Sequence, residues 1–525
     1  MQPNTLNPSD STKGHPDDIK RQYKEKKPIL RTLEHHFESF RRNIIGGAQK
    51  VDTYKGKTTM IYADWTASGR MYWPIEETLL YKVHPWVANT HTEASLCGDT
   101  MTRAYAEAKQ QIKAHVNANG DDVLIPCGTG MTGALAKLQR LMGLVVPEHH
   151  GERPKLDPDK RPVVFISQME HHSNHTSWLE TICDVVLIPQ TNEGEMDLRS
   201  LGRYLGEFEG RPLIVSITAC SNVTGVETPY HTIAGMAHAH GGLCFVDFAA
   251  SAPYVDIDMH PSENHALDAI TFSPHKFLGG PGSSGILIFN KKLYHKKVPD
   301  IPGGGTVTFT DPWGNHSYKQ DIEEREDGGT PGFLQTIRAA MAIKLKEVMG
   351  TANMRLREQE INQRVFAYLD KIEGLRILAS GHRYRLSIFS FTIKGLHYDL
   401  VTRMLSDRFG IQARGGCSCA GTYGHYLMDI DPSASEKIQK KSRLGCSLDR
   451  PGWVRISFHP TQTDKEVAQV CHAIRLIAQK GHGWAKGYKK TKDGHLPKNP
   501  ADQVKIPIKD WFESPFLPDL KVNIT

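Results

Sequence analysis

The sequence predicts an α/β protein: a large domain on a mostly parallel sheet, then a smaller α+β domain. Two observations carry this. From Ile61 to about Asn290, short apolar runs rich in β-branched residues (DVLIP, PVVFIS, DVVLIP, PLIVSITA, LCFVDF, AITFS, GILIFN) alternate with helical stretches such as Met131 to Leu144 and Thr232 to His240. That is the pattern of strands buried on both faces and covered by helices. After the Gly- and Pro-rich IPGGGTVTFTDPWGN come a long helical stretch from Pro331 to Ile372, a strand in RLSIFSFTIKG, a helix in HYDLVTRMLSDRFG, a strand in GWVRISF and a last helix.

In chain order, residues 1–25 are polar and rich in turn formers, which predicts a mobile tail. Residues 26–330 form the large domain, where Leu135, Leu138 and Met142 recur at helical spacing and belong to the core. Residues 331–482 form the small domain. Its last helix opens with a capping box, Thr463 and Glu466, followed by the apolar stripe Val467, Val470, Ile474 and Ile477. Residues 483–525 are a basic, Pro-rich extension, read as a solvated linker with WFESPFL docking back as an apolar clip.

Composition narrows the classes of function. With 39% hydrophobic and 23% charged residues the chain is neither mainly disordered nor collagen-like. Sixty-four basic less 58 acidic residues leave +6 over 525 positions, too thin an excess to argue for nucleic acid. No run approaches the roughly 18 apolar residues of a membrane span, and the first 20 lack a signal peptide's apolar core. Asp10, Asp17 and Asp18 argue against a mitochondrial transit peptide, so the expectation is a cytoplasmic protein without membrane contact. Nine scattered cysteines make no disulfide framework, and only Cys417 and Cys419 stand apart from the apolar runs.

The chemistry begins at FSPHKFLGG, where AITFS runs into Ser273, His275 and Lys276. A lysine there sits at a strand's carboxyl end, the ligand-binding edge of an open parallel sheet, although a solvated loop lysine is the commoner case. Asp247 ends the preceding strand, so an acid and a lysine emerge along one edge. Pyridoxal phosphate needs that pair: a lysine to hold it as a Schiff base and a carboxylate for its pyridinium nitrogen. In CGTGMTGALAKLQRL, Thr129 and Gly130 lead into a helix whose amino end suits the phosphate, though GTG is also a plain turn. His171 and His172 follow PVVFIS as a metal pair, as surface, or as an imidazole against the cofactor ring. Asn222 ends another strand, as a turn residue or as a hydrogen-bond partner of the ring's phenolic oxygen.

In order, YADWTASGR, THTEAS, GTGMT, MEHHSN, ACSNVTG, VDFAAS, SPHKFLGGPGSSG, GGGT, DGGTPG, ARGGCSCAG and VRISFHPT span roughly positions 60 to 480. This series resembles the class V aminotransferases and, among them, the cysteine desulfurase and selenocysteine lyase branch. The resemblance implies fold type I of the pyridoxal-phosphate-dependent transferases, pyridoxal 5′-phosphate as cofactor and a homodimer. It implies that Lys276 holds the cofactor, Asp247 its ring nitrogen, His172 its ring face and Thr129, Gly130, Ser273 and His275 its phosphate. Thr330 would reach the phosphate of the other subunit, Asn222 the ring oxygen or substrate, and Arg455, assisted by Arg414, the substrate carboxylate.

In related desulfurases an arginine precedes the persulfide-forming cysteine by five positions, and Arg414 plus five is Cys419. The implied reaction removes sulfur from L-cysteine through a persulfide, leaves alanine and passes the sulfur on to an acceptor protein. The alternative keeps the cofactor without the persulfide: an aminotransferase, epimerase or C–S lyase. A metal site of Cys417, Cys419, His425 and Cys446 is a further reading of the loop, but the spacing fits no standard zinc pattern, so no metal is expected. Three features depart from the branch. Ala250 stands where desulfurases usually carry glutamine, 35 residues (420–454) separate Cys419 from Arg455, and the Cys-x-Cys is similar to that of molybdenum cofactor sulfurase domains.

Overall fold

The computed structural model describes residues 33–513, apart from 91, 147–156, 444–449, 492–493 and 499–505. The expected N-terminal tail and Cys446 lie outside the described residues. The seven apolar runs form one seven-stranded sheet: β1 (Asp122–Cys127), β2 (Val163–Ser167), β3 (Asp184–Ile188), β4 (Leu213–Thr218), β5 (Leu243–Asp247), β6 (Ala269–Phe272) and β7 (Gly285–Asn290). Their spatial order is 1-7-6-5-4-2-3. β7 is antiparallel to both its neighbours, and the remaining pairs are parallel. The carboxyl ends of β1 and β4–β6 therefore open on one edge.

The strands read as continuous apolar runs because the sheet has two cores. Side chains alternate across the pleat, so Val163, Phe165, Val215, Val246 and Ile270 join one apolar cluster. Val164, Ile166, Ile214, Phe245 and Leu287 join another with Leu135 and Leu138 of helix α2. The helices here are α1 (Leu96–His115), α2 (Gly130–Leu141), α3 (His172–Leu179), α4 (Leu198–Glu207) and α5 (Tyr230–Ala239).

The long helical stretch after Pro331 is two helices, α6 (Phe333–Met349) and α7 (Thr351–Leu369), broken at Gly350 with its φ of 79°. Core membership crosses the boundary expected at 330/331. Ile337, Ala339, Ala340 and Ile343 of α6 pack into the large-domain core, whereas Ile61 and Ala63 pack into the small-domain core.

The small domain is an antiparallel sheet of β8 (Leu375–Ile377), β9 (Ile388–Ile393), β10 (Arg414–Gly416) and β11 (Trp453–Ser457) in the order 8-9-11-10. Around it lie α8 (Tyr398–Phe409), α9 (Gly421–Leu427), α10 (Pro432–Arg443) and α11 (Asp464–Trp484). The capping box forms at α11, and its predicted stripe is buried against β9 and β11.

The extension differs from expectation. Within it β12 (Tyr488–Thr491) and β13 (Gly494–Pro497) pair as a hairpin. Asp399 of α8 accepts from the amide of His495 at 2.6 Å and from its Nδ1 at 2.9 Å, so this part is docked structure and not a solvated linker. The described part of the expected clip does not dock: Trp511 is 61% and Phe512 71% exposed on a four-residue helix.

Candidate active site

The sheet edge opens into a cavity of about 230 Å³ lined by Thr129, Asn222, Asp247, Ser273, His275, Lys276, Arg414, Cys419 and Arg455 among others. Nine of the twelve residues singled out from the sequence thus meet in one place although they span 326 positions, from Thr129 to Arg455. Gly130 adjoins them. Its φ is +61°, and a Cβ there would lie 2.9 Å from Ser273 Oγ and 3.0 Å from His275 Cε1. Gly285 is bound more tightly still, since its Cβ would lie 2.2 Å from Gly130 O. The amino end of α2 is thereby held against Ser273, whose Oγ accepts from the Met131 amide at 2.8 Å and keeps its own hydrogen to donate.

Burial controls the charges here. Buried surroundings lower the Lys276 amine to about 8; Asp247 opposes this, and the Arg455 and Arg414 guanidiniums reinforce it. Burial raises the Asp247 carboxyl to about 6, against the Ala249 amide at 2.7 Å and Lys276. His275 is lowered to about 4 by burial and by Lys276.

The two histidines divide their work. His171 lines the cavity. Its Nδ1 accepts from the Ser173 amide at 3.1 Å, capping α3, and burial with the Lys276, His172 and Arg455 charges lowers it to about 4. His172, the residue expected on the ring face, does not line the cavity. Its Nε2 accepts from the Gly421 amide at 2.9 Å and its own amide donates to Cys419 O at 2.7 Å, so its ring is spent on fixing the thiol loop. The adjacent pair offered no signal for choosing between them, because the choice depends on which residue caps α3. Thr330 also lies off the cavity, exposed in the turn before α6.

The loop from β10 to α9 presents Cys419. Ser418 and Cys419 both take left-handed φ, 52° and 56°, a strained conformation for residues with side chains. It is held by the His172–Cys419 contact and by Asn222, whose Nδ2 donates to Ser418 O at 2.8 Å. Cys419 is exposed and faces the cavity, whereas Cys417 is half-buried against the cluster of Met169, Val223 and Trp453. Both nitrogens of His425 are engaged, with Gly421 O and Ser435 Oγ, which removes it from the metal reading of this loop.

Arg455 is held in the cavity wall, its Nη1 donating to Asn222 O at 3.0 Å and its Nη2 to Asp64 at 2.9 Å. The other Asp64 oxygen accepts from Arg414 Nε at 3.1 Å. Asp64 stands in YADWT and was missed, because one acid in a strand-like run carries no signal until its partners are known. Thr66 and Ser418 were missed in the same way.

A family model, Aminotransferase class-V, matches residues 61–470. The chain belongs to the class-V aminotransferase family. Two curated relatives are each described as a probable cysteine desulfurase. That of Halalkalibacterium halodurans is 27% identical over 366 residues, 69% of this chain and 84% of the relative. That of Staphylococcus aureus strain COL is 26% identical over 422 residues, 79% and 91% of the two chains. Among solved structures, the apo cysteine desulfurase from Thermococcus onnurineus NA1 covers 84% of this chain and 98% of its own, with TM-score 0.67 and 21% identity. The cysteine desulfurase CsdA from Escherichia coli covers 80% and 95%, with TM-score 0.62 and 20% identity. These two show the shared fold.

Class-V aminotransferases depend on pyridoxal 5′-phosphate, and this site fits it. An amine and a carboxylate of perturbed charge share the cavity with a helix amino end. The buried Asn222 Oδ1 and Arg455 Nε there have no protein partner.

Proposed function

We propose that this class-V aminotransferase is a cysteine desulfurase acting on L-cysteine. The observation that carries the reading is Cys419, an exposed thiol on a pinned loop facing the same cavity as Lys276 and Arg455. The curated relatives' descriptions point the same way. Lys276 would hold the cofactor and Asp247 its ring nitrogen. His171, the imidazole that lines the cavity, takes the ring face in place of His172. Thr129, Gly130, Ser273 and His275 surround the helix end suited to the phosphate, and Asn222 Oδ1, which has no protein partner, is available to accept from an N–H or O–H of cofactor or substrate. When bound, the cofactor supplies an electron sink that loosens the substrate's Cα proton.

The chain's own groups supply the rest. Arg455, with Arg414 beside it, binds the α-carboxylate. Lys276, lowered to about 8, moves the Cα proton. The Cys419 thiolate forms a new S–S bond to the substrate sulfur as the substrate's Cβ–S bond breaks and carbon takes a proton. The balance is L-cysteine plus Cys419–SH giving L-alanine plus Cys419–S–SH. An acceptor protein or reductant then removes the outer sulfur.

A homodimer and a cytoplasmic location belong to the same reading. Trp73, Leu80, Tyr81, Trp86, Val87 and Leu96 are exposed within 24 residues, as expected of a face covered by a second copy. Such a copy would give the exposed Thr330 a phosphate to reach. The eight described cysteines are free thiols, which suits a reducing compartment. Among the described residues no helix is long and apolar enough to cross a membrane.

Incubating holoenzyme with L-cysteine and a reductant should release sulfide and alanine in equal amounts. Mass spectrometry should find added sulfur on the peptide from Arg414 to His425, absent from Cys419→Ser and retained in Cys417→Ser. A keto acid product without any persulfide would replace this reading with transamination.

A further inference from the structure

Arg414 and Arg455 face each other across β10 and β11 as direct cross-strand partners. Like charges so placed repel, and both also lower the nearby Lys276 amine. One carboxylate reconciles them: Asp64 Oδ1 holds Arg455 Nη2 at 2.9 Å, and Oδ2 holds Arg414 Nε at 3.1 Å. The side chains of Arg455 and Asp64 are 4% and 13% exposed, that of Arg414 50%. The buried arm is therefore fixed and the exposed arm is the one Asp64 restrains.

The backbone makes Asp64 rigid. Residues Ile61–Tyr62 run parallel to Ile411–Gln412, two residues before Arg414. Asp64 itself bridges Ser457, two residues beyond Arg455. The Ser457 amide donates to Ala63 O at 2.8 Å, and Ser457 Oγ accepts from the Thr66 amide at 3.0 Å. Both strands that carry the arginines are thus stitched to the segment that carries their counter-ion.

We infer that Asp64 is a positioning residue that sets the specificity of the carboxylate clamp. It reduces two guanidiniums to one net positive charge and holds Arg414 back, so that the site takes an amino acid with a single carboxylate and disfavours one whose side chain is also anionic. This rests on the reading of Arg455 and Arg414 as the substrate clamp. Without Asp64 the clamp carries two positive charges, and Arg414, free of its tether, can meet a second carboxylate over the cavity.

The test compares holoenzyme affinity for L-alanine with that for L-aspartate, by calorimetry. Wild type should prefer L-alanine. Asp64→Asn, which keeps the shape, should shift the ratio at least tenfold toward L-aspartate and should change the L-cysteine KM more than kcat. Asp64→Asn/Arg414→Gln, with the net charge restored, should return the ratio toward wild type, and Asp64→Glu should keep the preference. Melting curves select the folded variants, and the double variant keeps the inference testable if the single one is unstable. A folded Asp64→Asn with the wild-type ratio overturns the inference, as does a double variant that fails to restore it or a wild type that does not bind L-alanine. Sulfide release is scored separately: its absence from wild type would remove the desulfurase reading while the affinity ratio still reports on Asp64.

Discussion

Lys276 is the residue whose charge the fold alters with most consequence. Its amine is lowered to about 8 by burial and the two arginines, while Asp247 holds it up. Only the neutral amine is a nucleophile. Capture of pyridoxal phosphate by the cofactor-free protein should accordingly quicken as pH rises through about 8. Asp247→Asn removes the group that favours the ammonium, so the rise should move to lower pH. Stopped-flow absorbance across the range checks both, and a flat profile or a shift upward would count against the assignment. Lys276→Ala should abolish turnover and the Schiff-base absorbance together, since no second lysine is among the described residues that line the cavity. The spacing from Arg414 singles out Cys419, and the left-handed turn at 418–419 leaves that thiol exposed at the cavity while Cys417 packs against the cluster that includes Trp453.

At the scale of elements, the amino end of α2 depends on glycines that remove side chains from a crowded junction. Gly285→Ala would place a methyl 2.2 Å from a backbone oxygen, where no side chain can yield. The expected cost is about 1–3 kcal/mol, with weakened cofactor retention, measurable by denaturant titration and by dialysis of the holoenzyme. The terminal hairpin gives a second expectation. His495 is tied to Asp399 through its side chain, and its carbonyl accepts from Arg403 Nε at 3.2 Å. Asp399→Ala should free the hairpin, raising amide exchange at 488–497 while leaving the central sheet protected. Equal protection in variant and wild type would mean that other contacts hold it. The basic composition of this segment hid the hairpin, because charge runs report solvation of side chains and not pairing of backbone.

Over the whole molecule, one buried histidine and several half-buried ones are held neutral. His459, stacked on Trp65 at 4.3 Å and bonded to Thr461, is lowered to about 3, and His115, His171 and His275 to about 4. Each folded value lies below the ordinary 6.5. Their contribution is therefore present above about 6.5 and is lost as pH falls toward about 4, when the unfolded chain takes up protons that the folded one refuses. Each such site can add about 1.4 kcal/mol per pH unit to the slope. Stability of the cofactor-free protein should fall steeply between about pH 6.5 and 4, and His459→Asn should flatten that fall by one proton's worth. Denaturation midpoints along the series decide this. Association is the other property at this scale: Leu80→Asp with Tyr81→Asp should shift a dimer to monomer in light scattering, and an unchanged mass would locate the second copy elsewhere.

What the sequence determined by itself was local in cause. Six of the seven strands were legible because burial on both faces forces an unbroken apolar run, the edge strand β3 reading as apolar although only its Ile188 is buried, and α11 was legible because its cap and stripe are short-range signals. Lys276 and Asp247 were legible as candidates because each follows or ends its own strand, and Arg455, in the middle of β11, through its motif. Tertiary structure alone decided that His171 faces the cavity and His172 the thiol loop, that Asp64 joins two arginines 41 positions apart, and that α6 belongs to the large core. These outcomes depend on which surfaces meet when the chain folds back on itself, and contacts between residues hundreds of positions apart leave no periodicity or spacing in the text of a single chain.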